Sequence, residues 1–593
     1  MIQDSRNSIH TAGEFLTRSV IGQEIFTLEN ISSEQRLLVK TASDFMEREV
    51  LPRSIQIERA EPDLMRNLLA KAGELGLLQI DTLSHAEGLK VQAVIASQFA
   101  RQASFFVAWA VQTGIGILPI SYFASDRLKN TYLPTMATGK VIGAYAVTEA
   151  QAGSDATSIK TQARLAPDGS HYILNGVKQW ISNAGIADVF TVLAKVDNTR
   201  LTEFVVEAQW EGVSTTVEDQ KMGIRGVSNC SVYLNNVRVP VENIVGEVGK
   251  GSKIVFSIMN IGRIKLAVGC AAASREALNL AAIHATERQS FGKPIGNFGL
   301  IQKKLALMTV DTYAAESMAF RTMGTLNDHL AALRHSGQND NITIQSIIEE
   351  HTMEASIVKV FGSEISGRVI DESLQIFGGY GYMQGNAVEQ AYRDTRITRI
   401  FEGTNEINRL LISGVLLKHL LMKHMGASDF LPQLEAEIND QCCNVEDVLD
   451  KLTDAVTSVE RVKRAMLYVV VKTAITFLET LEQEQEFLEY IADAAIALYA
   501  LDSTLSRALA AVHNSQQPQT HILIAQLATW YYLPQIVRSL DNMLHAACSG
   551  ATLYEELQRL HNFTDIYHIN AIHQQRALSS IVINHKGYPL SIL

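Results

Sequence analysis

The sequence predicts a mainly α protein with an inserted β domain, and three observations carry that reading. Of the 11 prolines, none falls between Pro294 and Pro432, and a proline inside a helix removes a hydrogen bond and clashes with the preceding turn. Within that gap apolar residues recur at helical spacing, as in Leu300, Ile301, Leu305, Leu307 and Met308. Between residues 141 and 247 the period changes to strand-like alternation broken by turn dipeptides.

At 593 residues the chain is long enough for roughly four units. The first, 1–140, is helical, with Pro52, Pro62, Pro119 and Pro134 as punctuation. The second, 141–247, is the middle β domain. His171–Leu174, Val189–Leu193 and Ser231–Leu234 alternate, while Pro167-Asp168-Gly169 and Asn175-Gly176 suit the positive φ of hairpin turns. An antiparallel domain is expected. The third, 248–424, is a helical bundle with one polar loop at Arg334–Asn341. After a break at Met425–Pro432, residues 433–593 form an extra helical domain rich in Ala, Leu and Gln.

Composition excludes several function classes. Acidic residues outnumber basic ones, 63 against 51, which speaks against a nucleic-acid binder needing a basic surface. The five cysteines include no CxxC, and Cys442 and Cys443 are adjacent, so neither a zinc site nor a disulfide framework is expected. Met1–Asn7 has no basic start or apolar run of a signal peptide, and Ala465–Leu478 is too short to span a bilayer. The expectation is a cytoplasmic protein.

Several motifs fail. Gly246–Lys253 lacks the GxxxxGK[ST] order of a phosphate loop and reads as a turn before a helix. Gly379-Tyr380-Gly381 is not followed by the third glycine of a dinucleotide fingerprint. His351 and Glu354 have no second histidine and read as a solvated helix face. There is no GxSxG elbow. No metal site is expected.

Three separated segments remain. Tyr145–Asp155 reads as a strand ending in a small, hydroxyl-bearing loop. Gln375–Tyr382 carries three glycines after a helix, more than one C-cap requires. Arg399–Ile407 places Glu402 between Phe401 and Gly403, before a helix capped by Thr404 or Asn405. Apolar surroundings there would raise the pKa of Glu402, as suits a general base.

In this order, on an α–β–α layout, these segments resemble the acyl-CoA dehydrogenase family, most closely its very-long-chain type with an extra C-terminal helical domain. Asn260–Arg263 and Arg288–Gly292 fit as well. The resemblance implies an N-terminal α domain, a middle antiparallel β-barrel and a four-helix bundle. It also implies FAD as cofactor and desaturation of an acyl-CoA thioester, of medium to very long chain, to the trans-2-enoyl-CoA.

By that resemblance Glu402 removes the α-proton while the flavin accepts hydride from Cβ, and the Glu402 N–H helps hold the thioester oxygen. Some relatives carry the base on an earlier helix, immediately before the arginine matching Arg263; here that residue is Gly262, which cannot act. Tyr145, Val147, Thr148, Trp180, Ile181 and Ser182 are implied beside the flavin ring. Arg288, Ser290, Phe298, Gly299, Gln375, Gly378 and Gly379 are implied at the pyrophosphate and ADP end of a neighbouring subunit's cofactor. Thr404 and Glu406 follow the base, although Glu406 departs from the usual Gln or Asp. Ser154, Arg263 and Gly403 are implied substrate contacts, with a structural salt bridge as the competing role for Arg263.

The implied partners are the acyl-CoA, an electron-transfer flavoprotein and a second copy of the chain, as homodimer or homotetramer. Peripheral membrane contact by the tail is not favoured, because Glu479, Glu482, Glu484 and Glu486 follow the basic Arg461, Lys463 and Arg464. Thr113-Gly114-Ile115-Gly116 suggests a deep acyl pocket, close helix packing being the competing use of those glycines. An acyl-CoA oxidase, a biosynthetic desaturase on a carrier-bound acyl group, and a non-catalytic assembly protein are the alternatives in view.

Overall fold

The computed structural model describes residues 13–78, 87–336, 341–424, 430–440, 451–514, 517–565 and 567–590. Short helices fill the N-terminal part, among them α1 (Ala103–Thr113). The chain then enters a sheet of eight strands: β1 (Gly143–Ala146), β2 (Gln162–Leu165), β3 (His171–Ser182), β4 (Val189–Val196), β5 (Arg200–Glu207), β6 (Val213–Thr215), β7 (Asn229–Pro240) and β8 (Ile244–Val245).

Hydrogen bonds link these strands in the order β6-β7-β3-β2-β4-β5-β8, with β1 on β4. Both β1 and β2 run parallel to β4, so the sheet is mixed rather than antiparallel throughout, and the barrel is open between β6 and β8. Alternation reports which face a side chain occupies and is blind to strand direction. Ala144, Phe190, Val192, Phe204 and Val232 line the sheet's own core. Tyr145, Val189, Leu193 and Val205 join the helical core.

Pro167-Asp168-Gly169 turns as expected, with Gly169 at φ 71°. Asn175-Gly176 does not turn. It lies inside β3 at a shift of register against β7, where a Cβ on Gly176 would come within 2.2 Å of Thr161 Oγ1. That glycine serves close approach.

The bundle consists of α2 (Gly251–Glu287), α3 (Gly299–Ser336), α4 (Thr352–Phe377) and α5 (Asn405–His424), with α2 against α3 and α4, and α4 against α5. Of the polar loop, residues 337–340 lie outside the described residues. His351 and Glu354 do not form a solvated face. Both are buried; His351 Nδ1 bonds the Ile347 carbonyl, and Glu354 accepts from the Gly13 N–H at 2.6 Å. Helical spacing alone could not show that a further layer covers them.

Beyond residues 425–429, which are outside the described residues, a helix begins at Phe430 and carries Pro432 in its first turn. It leads to α6 (Thr453–Ala474), α7 (Gln485–Asn514) and α8 (Pro518–Ala547). This tail docks on α3 through buried polar groups. Arg507 lies 2.6 Å from Glu29, 2.9 Å from Glu316 and over the Tyr313 ring. Asp502 takes Arg321 and, at 2.6 Å, Lys463.

The basic cluster of α6 is used in packing, with Arg461 over Phe563 and Arg464 at 3.4 Å from Glu437. Three helices, Ala103–Phe123, Gly251–Glu287 and Gln485–Val512, are long and apolar enough to cross a membrane by length and composition, but 78% or more of each apolar window is buried inside the protein. Cys230 and Cys270 are free and buried, and Cys548 is half-buried; Cys442 and Cys443 lie outside the described residues. No group of metal ligands occurs among the described residues.

Candidate active site

Glu402 and Gly403 have φ of 57° and 79°. A left-handed non-glycine residue is uncommon and persists where surrounding bonds over-determine it. Those bonds are present. Arg263 Nε donates to the Glu402 carbonyl at 3.1 Å. Lys359 Nζ donates to the Gly403 carbonyl and to Asn405 Oδ1, both at 2.7 Å. Asn408 Nδ2 donates to the Gly403 and Thr404 carbonyls at 2.8 and 3.0 Å. Thr404 Oγ1 accepts from the Ile407 N–H and caps α5.

Three consecutive carbonyls are thereby drawn into the bundle. A trans peptide points its N–H opposite its carbonyl, so the N–H groups of Gly403 and Thr404 face the other way. Among the described residues no acceptor takes the N–H of Glu402, Gly403 or Thr404.

The Glu402 carboxylate lies against α2. A Cβ on Gly262 would stand 2.9 Å from its Oε2 and 3.1 Å from its Oε1, so a side chain at position 262 and the Glu402 carboxylate would compete for one space. Burial raises the Glu402 pKa, opposed by the charges of Arg263, Lys359 and Lys265, and no hydrogen bond takes part. The carboxylate is surrounded by charge yet has its lone pairs free.

Arg263 is buried, and its Nη1 bonds Asn260 Oδ1 at 2.8 Å. Burial lowers its pKa to about 10. It holds the Glu402 loop from beneath. Lys359 and Lys265 were missed by sequence reasoning. Their signal was a lone lysine inside an apolar helical run, Ile357–Phe361 and Ile264–Val268.

The strand segments expected beside the flavin come together. Lys178 Nζ bonds the Val147 carbonyl at 3.0 Å and the Gln179 N–H bonds the Thr148 carbonyl at 2.9 Å. Tyr145, Val147 and Thr148 thus adjoin Trp180, Ile181 and Ser182. Trp180 has φ 58° and leaves 59% of its surface exposed. Tyr145 is close enough to Glu402 to feel its charge, and its hydroxyl donates to Glu203, whose pKa burial pushes up to about 8. Ser154 lies exposed in the loop after β1, and Glu406 is exposed on the first turn of α5.

Arg288, Ser290, Phe298, Gly299, Gln375, Gly378 and Gly379 form a second group at the far end of α2 and α4, where Arg288 lies over the exposed Tyr380 ring. Gly262 and Arg288 are 26 residues apart along α2, about 39 Å at ~1.5 Å per residue.

Gly114 and Gly116 do not widen a pocket. A Cβ on Gly114 would meet the Ala110 carbonyl at 2.5 Å and Lys265 Nζ at 3.2 Å, and one on Gly116 the Gly143 and Val111 carbonyls at 2.9 Å. Space lies instead in a cavity of about 230 Å³ walled by Phe401, Phe106, Leu266, Gly269, Cys270 and Ala273. Its α2 wall continues the helix face that carries Gly262.

Four family models match the chain. The acyl-CoA dehydrogenase N-terminal domain matches residues 32–140, the middle domain 144–237, the C-terminal domain 249–417, and a further acyl-CoA dehydrogenase C-terminal domain 461–561.

The chain belongs to the acyl-CoA dehydrogenase family.

A probable acyl-CoA dehydrogenase of Bacillus subtilis is 37% identical over 586 residues, 98% of each chain. The mitochondrial very long-chain specific acyl-CoA dehydrogenase of Homo sapiens is 37% identical over 433 residues, 69% of this chain and 63% of that protein. The crystal structure of an acyl-CoA dehydrogenase complexed with FAD from Bacillus anthracis superimposes with a TM-score of 0.93 at 38% identity, over 98% of this chain and 100% of that one. As an acyl-CoA dehydrogenase family member the protein is an oxidoreductase acting on a CH–CH bond, and Glu402 sits on the loop joining its bundle helices.

Proposed function

We propose that the protein is an FAD-dependent acyl-CoA dehydrogenase in which Glu402 is the base, forming the trans-2-enoyl-CoA and passing electrons to an electron-transfer flavoprotein. The observation that carries this is the Glu402 carboxylate, free of hydrogen-bond donors and raised in pKa by burial, beside the N–H groups of Glu402, Gly403 and Thr404, which no acceptor among the described residues takes. A thioester α-proton is only weakly acidic, so a base and donors to the developing oxyanion must act together. The loop supplies both within two residues.

The site fits a flavin. An exposed indole held at positive φ beside a backbone edge and the Thr148 hydroxyl offers a flat face with polar groups at its rim. When bound, FAD supplies the two-electron acceptor. The chain's own residues do the rest: Arg263, Lys359 and Asn408 hold the loop, and Glu402 takes the proton. The second group stands too far from Glu402 for one dinucleotide to reach both, which supports a cofactor shared with a second copy of the chain.

The cavity beside Phe401 supports an acyl chain of at least medium length. A cavity of about 150 Å³ holds a benzene, so by proportion this one adds room for roughly nine carbons beyond the thioester end. The test is the absorbance spectrum of the purified protein before and after anaerobic addition of palmitoyl-CoA. The wild type should be yellow and bleach; Glu402→Gln should stay yellow and not bleach. Bleaching of that variant at a near-normal rate would overturn the base assignment.

A further inference from the structure

Three buried cations surround one carboxylate. Arg263 and Lys265 approach Glu402 from α2 and Lys359 approaches from α4; Tyr145 faces it from β1, and Glu406 lies on its own helix. Lys265 is 2% exposed and bonds Thr113 Oγ1 at 3.1 Å over the Trp109 ring. Lys359 has no exposed surface and reaches the Gly403 carbonyl and Asn405.

An ammonium is costly to bury, and neither lysine is needed to fill an apolar helix face that Met would fill as well. What both have in common is Glu402. The charges of both lysines, like that of Arg263, favour the ionised form of that carboxylate against its burial.

We propose that Lys265 and Lys359 are positioning residues that act through Glu402, keeping its carboxylate ionised inside the protein and, in the case of Lys359, fixing the Gly403 peptide. This rests on Glu402 being the base.

Removing either charge leaves burial less opposed, so the Glu402 pKa should rise. The experiment uses the purified flavoprotein. The acid limb of palmitoyl-CoA bleaching is measured against pH, together with an infrared titration of the protonated-carboxyl stretch that disappears in Glu402→Gln. Both midpoints should move up by about one pH unit in Lys265→Met and in Lys359→Met. Lys359→Arg, which keeps the charge, should return toward the wild-type midpoint.

Lys359→Met should also lower the plateau rate, because the Gly403 carbonyl loses a donor. Lys265→Met decides the electrostatic claim by itself if Lys359→Met fails to fold. A midpoint within about 0.2 pH units of wild type, well short of that shift, overturns the inference for that lysine while leaving the base assignment intact. Activity in Glu402→Gln would instead overturn the base assignment.

Discussion

Gly262 on α2 and the Glu402 carboxylate occupy adjoining space so closely that a single added carbon on the glycine would stand 2.9 Å from Oε2. A glycine in the middle of a 37-residue helix is otherwise a poor choice, costing about 0.5–1 kcal/mol against alanine. Its presence is explained by the side chain it must not touch.

Gly262→Ala should therefore separate stability from activity. The carboxylate is the movable end of a side chain and can yield, so thermal unfolding should stay at the wild-type midpoint or rise. The displaced base should lower kcat/KM for palmitoyl-CoA by about 10–100-fold, with the yellow colour retained.

Chain-length preference should respond to the cavity beside Phe401. Ala273 lines it and is only partly buried, so Ala273→Phe fills space without displacing a packed neighbour. Rates with long saturated acyl-CoAs should fall while those with four-carbon chains stay within about twofold, since the change lies far from the reacting carbons. Equal losses at all lengths would place the acyl chain elsewhere.

Glu203 gives a pH dependence of stability. Burial raises its pKa to about 8, and its Oε2 has no partner. The folded protein keeps this proton while the unfolded chain releases it near 4.5, so stability falls as pH rises from about 4.5 to about 8 and is level above. Glu203→Gln should remove that contribution. In denaturant titrations, the variant's advantage should grow between pH 5 and pH 8 to the order of a few kcal/mol.

The tail should detach when its buried charges are unbalanced. Arg507→Met leaves Glu29 and Glu316 without their shared guanidinium. Breaking a buried pair from one side costs about 3–5 kcal/mol. Urea unfolding should shift to lower denaturant and, if the tail opens first, resolve into two transitions.

Much of this molecule was legible in the chain. Proline spacing and the switch of period mark where helices give way to the sheet, because both act over a few residues. The sequence by itself determined that Gly262 cannot be the base and that Glu402 precedes a capped helix. Local patterns cannot reveal strand direction, so the antiparallel domain they suggest misses that β1 and β2 each meet β4 in parallel. Nor could they say what a small residue makes room for.

Only the tertiary structure decided that Gly114 accommodates Lys265, that Gly176 admits Thr161 and that Arg263 holds the Glu402 loop. It also joined Lys359, Arg263 and Glu402, 43 to 139 residues apart in sequence, around one carboxylate. Burial and charge depend on distance through space. The sequence orders these groups along a line, and only folding sets how far apart they are.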